Sequence, residues 1–428
     1  MPRSKRLLAV VLAAVVVAEV AVLAMRPGTS DPPTPEPAPV SARAYFSERQ
    51  LDRARDYRRP NLALYGLTVA IELGVLALLV RRPPGWIRRL GRRPVRAGAA
   101  AAGAVSVALA LAPLPVGAIA RWRAIDVGLS TRSWIGWAGD VALATAIGAG
   151  IAAIGGALLV VLLRRFGRRW WIPGAAAVVA FGIATTYLSP IVIEPLFNRF
   201  VPLAQGETRS MVLDLARRAG VDVGEVYEID ASKRTTGANA YVAGIGHTKR
   251  VVIYDTLLRD FSPAEVRHVV GHELAHVRFS DVPRGLLWLA IVAPFGMLAV
   301  ARLAEAFGPE DWRASPAVAV PAVALAVALV VPVITTISNQ LSRDVEARAD
   351  AYALELTRDP ATMIDFQRRI ALANVSDPDP PAWVTFLLGT HPSALDRIGS
   401  AVAIAEDQRA ATRRAAAGAG RRRTPGGS

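Results

Sequence analysis

Gly271-His272-Glu273-Leu274-Ala275-His276 is the stretch from which the rest of the chain is read. It has the pattern H-E-x-x-H. Four residues apart on a helix, two imidazoles share one face and can reach a single ion. Zn²⁺ takes nitrogen ligands, and a catalytic site uses three protein ligands with a fourth position open. Glu273 lies about 100° around the helix from His272, where its carboxylate can take a proton from water at that open position. Ser262-Pro263-Ala264-Glu265 reads as a capping box with proline at the first helical position. Val266, Val269, Val270, Leu274 and Val277 then recur at roughly helical spacing. Gly271 costs this helix about 1 kcal/mol against alanine, which points to close approach of another backbone or to a glycine merely tolerated. His268 also stands four residues from His272, but Val269 follows it, so that pair brings no adjacent base. It reads as a structural histidine.

Outward from the motif the chain turns apolar. Of its 428 residues 53% are hydrophobic, and the mean hydropathy is +0.33. Seven runs of about 20 residues, nearly free of charge, are long enough to cross a bilayer: residues 7–25, 61–80, 97–120, 141–163, 171–189, 286–304 and 317–337. Trp170 and Trp171 stand at a span boundary, as interfacial aromatics do. The first run follows Arg3, Lys5 and Arg6 and resembles a signal peptide in its flanks, but it is longer than a signal core, and a retained anchor is the expectation. Glu19 and Glu72 fall inside spans and receive no role. The net charge of +15 comes almost wholly from Arg. Arg81, Arg82, Arg88, Arg89, Arg92, Arg93 and Arg96, then Arg164, Arg165, Arg168 and Arg169, cluster in short loops beside spans. That is the positive-inside pattern, and no nucleic-acid motif accompanies it. The absence of Cys excludes disulfides and thiolate metal sites.

Between the spans, residues 27–39 read as an extended proline-rich linker and 47–59 as a short charged surface helix. Residues 122–140 interrupt the spans with polar side chains. From Pro190 the composition becomes that of a soluble domain: a helix over 207–219 ended by Gly220, a strand over 225–230, and a hairpin of 239–243 and 250–254 around Gly244-Ile245-Gly246. Asp281 ends this segment. After Pro332 the seventh span runs without a breaker into a polar helical stretch, 339–357. There Glu346 and Asp350, four residues apart, share one face. By spacing alone they read as a solvated face paired with Arg343 and Arg348, although a long helix leaving the membrane would bring Glu346 beside the His pair. Helices over 361–373 and 393–408 and a disordered Ala/Gly/Arg-rich tail, residues 409–428, complete the chain.

Five segments resemble, in order, the membrane-embedded zinc metallopeptidases typified by the CAAX prenyl endopeptidases. They are PLFNRFVPL (195–203), ANAYVAGIGHTKRVVIYDTLL (238–258), GHELAH (271–276), SRDVEARADAYA (342–353) and THPSALDRI (390–398). The resemblance covers roughly residues 120–400. It implies Glu346 as third zinc ligand beside His272 and His276, and Glu273 as base. It implies Asp350 as the residue orienting a His ligand or donating a proton, and His391 and Arg397 as groups stabilising the tetrahedral intermediate and shaping the site. Asn239, Ala240 and Tyr241 match an edge strand that receives substrate as an added strand. Ser280 stands where relatives often carry a polar residue or His. The fold so implied is mostly α: a polytopic helical membrane protein of about seven spans, with a small α+β zincin-like domain closing a ring of helices.

The organisation expected is an anchor and linker (1–60), membrane helices (61–190), a first catalytic part (191–283), two membrane helices (284–340), a second catalytic part (341–408) and the tail (409–428). The expected function is a Zn²⁺-dependent endopeptidase of the cell membrane, with one zinc per chain. It acts on peptides or membrane proteins, lipid-modified or not, in contact with membrane lipid and without nucleic acid. Two alternatives stand beside it: a non-enzymatic receptor or chaperone whose structural zinc takes His268 as fourth ligand, and a transporter. For sidedness two criteria conflict. The Arg-rich loops place the catalytic domain outside the cytoplasm after five spans, whereas the resemblance implies the cytoplasmic side, favoured because the Arg-rich stretch 43–59 adds positive charge there.

Overall fold

The apolar runs fold as helices and pack through small residues. In the computed structural model, residues 3–28, 32, 34–89, 93–244, 249–308 and 315–421 are described. Among them seven helical segments are long and apolar enough to span a membrane: Leu7–Met25, Glu48–Arg81, Pro94–Leu111, Trp134–Arg169, Trp171–Phe197, Asp281–Phe307 and Pro316–Thr357. The first packs against the last two. Its Ala18, Ala21 and Val22 pack in one cluster with Trp288, Val292, Ile337 and Leu341 of the last two spans. Helices Pro94–Leu111 and Trp134–Phe166 meet backbone to backbone at Gly98 and Gly156. A Cβ on Gly98 would stand 2.7 Å from the Gly156 carbonyl oxygen, and one on Gly156 would strike the Gly98 carbonyl. Without a hydrophobic drive between helices in lipid, such close approach is what joins them.

Several expected boundaries move for identifiable reasons. The short helix at 47–59 and the span at 61–80 are one helix, Glu48–Arg81, continuous through Pro60 and opened by a Ser47/Gln50 capping box. The run at 97–120 is two helices, Pro94–Leu111 and Leu114–Asp126. Pro113 and Pro115 lack the N–H groups that a continuous helix needs. Residues 122–140 are correspondingly helical at both ends rather than a plain interruption. Asp281 does not close the soluble segment; it is the first residue of the sixth spanning helix, Asp281–Phe307. Boundaries expected at 60, 283 and 340 therefore fall within continuous helices. The tail is helical as far as Arg421, because Ala and Arg favour helix; residues 422–428 lie outside the described residues.

The soluble part holds a four-stranded sheet of β1 (Phe200–Pro202), β2 (Glu225–Ile229), β3 (Ala240–Ala243) and β4 (Arg250–Tyr254) in the order β1-β2-β4-β3. β2 and β4 are parallel, and the other pairs are antiparallel. β3 is thus an edge. The turn expected at Gly244-Ile245-Gly246 lies largely outside the described residues. Val226, Val251 and Ile253 of the sheet pack against Val212 and Leu215 of helix Glu207–Arg218 and Val270 and Leu274 of helix Pro263–Arg278. The HExxH helix is thereby laid across the sheet. Its capping box of Ser262 and Glu265 and its Pro263 are present as the spacing indicates. A Cβ on Gly271 would meet Ala353 and Leu215 at 3.7 Å, ordinary contact, so packing does not require that glycine.

The HExxH helix passes into the sixth span through Ser280, held at φ 56°. The seventh span and the polar stretch after it are a single helix, Val320–Thr357, through Pro332. Ser130 bridges Thr235, so the connection at 127–133 sits at the catalytic end of the bundle. Residues 82–89 and 167–170 lie one helix length away, at the opposite end.

Candidate metal centre

Two elements meet at the site. Pro263–Arg278 presents His272 and His276, and Val320–Thr357 crosses it with Glu346. The Nε2 atoms of the two histidines stand 3.2 Å apart, with their rings at 83°. Glu346 Oε2 lies 3.1 Å from His272 Nε2, and Oε1 lies 3.6 Å from His276 Nε2. Buried Glu346 Oε2 has no well-directed hydrogen bond. Zinc bound at about 2.0–2.1 Å in tetrahedral geometry separates its ligands by roughly 3.3 Å, close to the Nε2–Nε2 separation and to that between His272 Nε2 and Glu346 Oε2. Among the described residues these three form the group able to hold a metal ion. Glu346 and Asp350 are buried rather than a solvated face: Arg343 donates to the Thr385 and Gly389 carbonyls, and Arg348 to Asp281.

Each imidazole is oriented from behind. His272 Nδ1–H donates to Asp350 Oδ1 at 2.8 Å, and Arg397 donates to both oxygens of Asp350 at 2.5 and 2.7 Å. His276 Nδ1–H donates to Asp281 Oδ2 at 3.0 Å, and the other Asp281 oxygen accepts from Arg348 Nη2. Arg348 is 1% exposed, with its guanidinium 4.3 Å above the Phe279 ring. With Nδ1 protonated by these bonds, both Nε2 lone pairs face the common point. Asp281 is the residue that reading the sequence missed. Its only local signal is an acid one residue beyond the end of the helix turn that follows His276.

Glu273, between the two histidines in sequence, lines cavities on both sides of the site. Burial holds its carboxyl above the ordinary carboxylate range, against the pull of His272 and His276. His391 arrives on the loop before Ala394–Arg421, its Nε2 3.3 Å from Glu346 Oε2 and its Nδ1 2.8 Å from Thr390 Oγ1. Burial lowers its pKa, opposed by Glu346. His268 is fully buried with both ring nitrogens unpartnered. Burial pushes its pKa down to about 4, so it is neutral, and it stands outside the ligand group.

The site lies between two cavities along β3. One, of about 650 Å³, is lined by Asn239, His272, Glu273, Gln367, His391 and Arg397 among others. The second, of about 340 Å³, is lined by Glu194, Tyr241, Val242, Glu273 and His276. Tyr254 N–H donates to the Asn239 carbonyl at 3.0 Å. With Tyr241 opposite Val252 and Ala243 opposite Arg250, residues 239, 241 and 243 turn their backbone groups toward β4. Ala240 and Val242 turn theirs outward. Of the three residues expected to meet substrate, Ala240 therefore offers its outward carbonyl, its N–H being donated to Asn239 Oδ1 at 3.0 Å, Asn239 lines the larger cavity, and Tyr241 donates its hydroxyl to Glu194. Val242 joins them.

Comparison with known proteins agrees with this architecture. The model of peptidase family M48 matches residues 202–405, and that of the CAAX prenyl protease N-terminal region, five membrane helices, matches residues 34–199. An uncharacterized metalloprotease of Bacillus subtilis, YhfN, is 31% identical over 292 residues, covering 67% of this chain and 68% of its own. The probable CAAX prenyl protease 1 of Schizosaccharomyces pombe is 28% identical over 57% of this chain, which spans about half (52%) of that relative. The crystal structure of Ste24p from S. mikatae superposes with a TM-score of 0.69 at 20% identity, covering 94% of this chain and 99% of that one, a likeness of fold. By family match, fold and metal-ligand geometry together, the chain belongs to peptidase family M48 and is a multi-pass membrane metalloendopeptidase.

Proposed function

We propose that the chain binds one zinc ion through His272, His276 and Glu346 and hydrolyses peptide bonds of extended polypeptides that add to the β3 edge. When bound, zinc polarises the scissile carbonyl and acidifies water. Glu273 takes the proton of the attacking water and passes it to the leaving amine. The His391 imidazole hydrogen-bonds the developing oxyanion, a contribution worth roughly 3–4 kcal/mol of barrier for one such donor. Asp350 and Asp281 keep the ligand imidazoles in one tautomer, and Arg397 holds Asp350. The Ala240 carbonyl and the outward N–H and carbonyl of Val242 pair with substrate backbone, whose side chains enter the two cavities. Relatives carrying the name CAAX prenyl protease extend the substrate class to lipid-modified peptides and membrane proteins.

The observation that carries this reading is the convergence of three ligand atoms, two of them on imidazoles held from behind by Asp, midway along a groove that follows an unpaired strand edge. A structural zinc would need a fourth protein ligand, and His268 stands outside the group. A transporter leaves the groove and the ligands unused. The test is cleavage of a mixed peptide library by purified protein with zinc, with chelator, and with Glu273→Gln. Cleavage abolished by chelator and by E273Q, with zinc still bound to the variant, is expected. Undiminished cleavage by E273Q would remove Glu273 from the role of base.

We further propose, against the cytoplasmic side that the resemblance favours, that the catalytic end faces away from the cytoplasm. Lys5, Arg81, Arg82, Arg93, Arg96, Arg164, Arg165, Arg168 and Arg169 belong to the other end of the bundle, and positive charge is retained inside. The Arg-rich stretch at 43–59 stands at the catalytic end, where Arg53 and Arg58 donate to the Val127 and Val375 carbonyls, and its charge counts on that side.

A further inference from the structure

Helix Pro360–Ala373 ends in a turn that its sequence does not favour. Ser376 N–H donates to the Ala371 carbonyl at 2.8 Å, and Val375 N–H to the Leu372 carbonyl at 3.2 Å. These are the paired bonds of a helix end closed by one left-handed residue, a place that glycine usually holds. Here it is Val375, at φ 46°, where a branched Cβ crowds the backbone. A residue so strained persists only where its surroundings over-determine it.

Two things hold Val375. Its side chain is buried, and Arg58, on the spanning helix Glu48–Arg81, closes over the backbone of the turn. Arg58 Nε donates to the Val375 carbonyl at 2.8 Å; its Nη2 donates to the Asn374 carbonyl at 2.8 Å and to Ser376 Oγ at 3.1 Å. One guanidinium thus reaches three consecutive residues, 316 to 318 positions further along the chain. Its rigid fork suits two neighbouring carbonyls, which a lysine would meet with a single point charge.

The other side of the turn faces the groove. Asn374 and Ser376 line the larger cavity. Asn374 Oδ1 accepts from Ala238 N–H at 3.3 Å. It also lies over Gly237, where a Cβ would stand 2.8 Å from it. Gly237 and Ala238 lead into the β3 edge. Beyond them Asn239 is fixed through its carbonyl to Tyr254 N–H and through its side chain to Ala240 N–H. We propose that Arg58 is a positioning residue for substrate. By holding Asn374–Ser376 in its strained form it keeps the Asn374 amide on Gly237 and Ala238, and so keeps the outward carbonyl of Ala240 in line for an added strand. The effect on substrate rests on the peptidase reading; the hold on the backbone before β3 does not.

The test uses the full chain in detergent with zinc and one extended peptide, with kcat and KM read separately. Arg58→Gln should raise KM roughly 2–10-fold, as for one misplaced substrate hydrogen bond, and leave kcat and zinc content unchanged. A fall in kcat or in zinc content equal to the rise in KM would make Arg58 a general brace and overturn the proposal. Glycine takes positive φ without strain, so in Val375→Gly the turn keeps its form without the clamp, and R58Q should then raise KM much less. An equal rise in both backgrounds, or none in either, would overturn the proposal. Asn374→Ala removes the acceptor and leaves the clamp; it should raise KM by itself and leave R58Q nothing to add. Effects that multiply would mean that Arg58 acts by another route. If Arg58→Gln does not fold, Arg58→Lys, which keeps the charge and loses the fork, takes its place in each arm. Amide hydrogen exchange should quicken over residues 236–240 in the Arg58 variant and stay unchanged over 270–276. Unchanged exchange at 236–240 would remove the hold. If the unaltered chain cleaves no peptide, the peptidase reading fails, while exchange still decides the hold.

Discussion

His276 donates its Nδ1 hydrogen to Asp281 across 3.0 Å, and Asp281 is at once the first residue of the sixth spanning helix and the partner of buried Arg348. The candidate ligand His276 is thus tied to the point where the HExxH helix turns into the membrane, by the same carboxylate-to-imidazole contact that His272 makes with Asp350. Partners of this kind typically change metal affinity by about 10–100-fold. Asp281→Ala should weaken zinc retention by that order in competition with a chelator. Asp281→Asn, which keeps an acceptor for Nδ1–H but loses the charge facing Arg348, should weaken it less. Unchanged zinc affinity in D281A would show that His276 is oriented by packing alone.

The outward backbone of β3 predicts a loss confined to substrate binding. Val242→Pro removes one outward N–H at an edge position, where proline is tolerated. One hydrogen bond is worth about 0.5–1.5 kcal/mol, so kcat/KM for extended peptides should fall roughly 2–10-fold while zinc content stays the same. Undiminished kcat/KM would mean that substrate does not pair with this edge.

Glycines in two helices should respond oppositely. Gly156→Ala drives a Cβ into the Gly98 carbonyl where two spanning helices touch, and overpacking of this kind costs about 1–3 kcal/mol. Gly271→Ala meets its neighbours at 3.7 Å and removes a helix penalty of about 1 kcal/mol. Thermal unfolding in detergent should show a lower midpoint for G156A and an equal or higher one for G271A.

Sidedness is read with a cysteine at Asp379, on the exposed loop before Ala382–Leu388. A membrane-impermeant maleimide should modify Asp379→Cys in intact cells. Modification only after the membrane is opened would place the catalytic end in the cytoplasm and reverse the assignment made from the Arg clusters.

Much of the site was legible because its signals are local. The Ser262–Glu265 capping box, the His272–His276 spacing and the apolar runs each depend on residues within a few positions, and all appear in the fold. Where local signals failed, a local alternative competed. Pro113 and Pro115 stop a helix that hydropathy alone extends to Ala120, whereas Pro60 and Pro332 do not stop theirs. The tail from Arg409 looks disordered by composition, yet Ala and Arg carry the last helix on to Arg421.

By itself the sequence determined which side chains can be ligands and base, how many helices can span, and where the catalytic helix begins, since helix periodicity and hydropathy are properties of contiguous residues. Only the tertiary structure decided that Glu346 is buried beside the histidines and not solvated, that Asp281 holds His276, and that Ala240 and Val242 face outward. His272 and Asp350 are 78 residues apart, and Arg348 and Asp281 are 67 apart. No periodicity spans such distances. The crossing of Val320–Thr357 over Pro263–Arg278, set by how two helices pack on one sheet and enter one membrane, brings those pairs together.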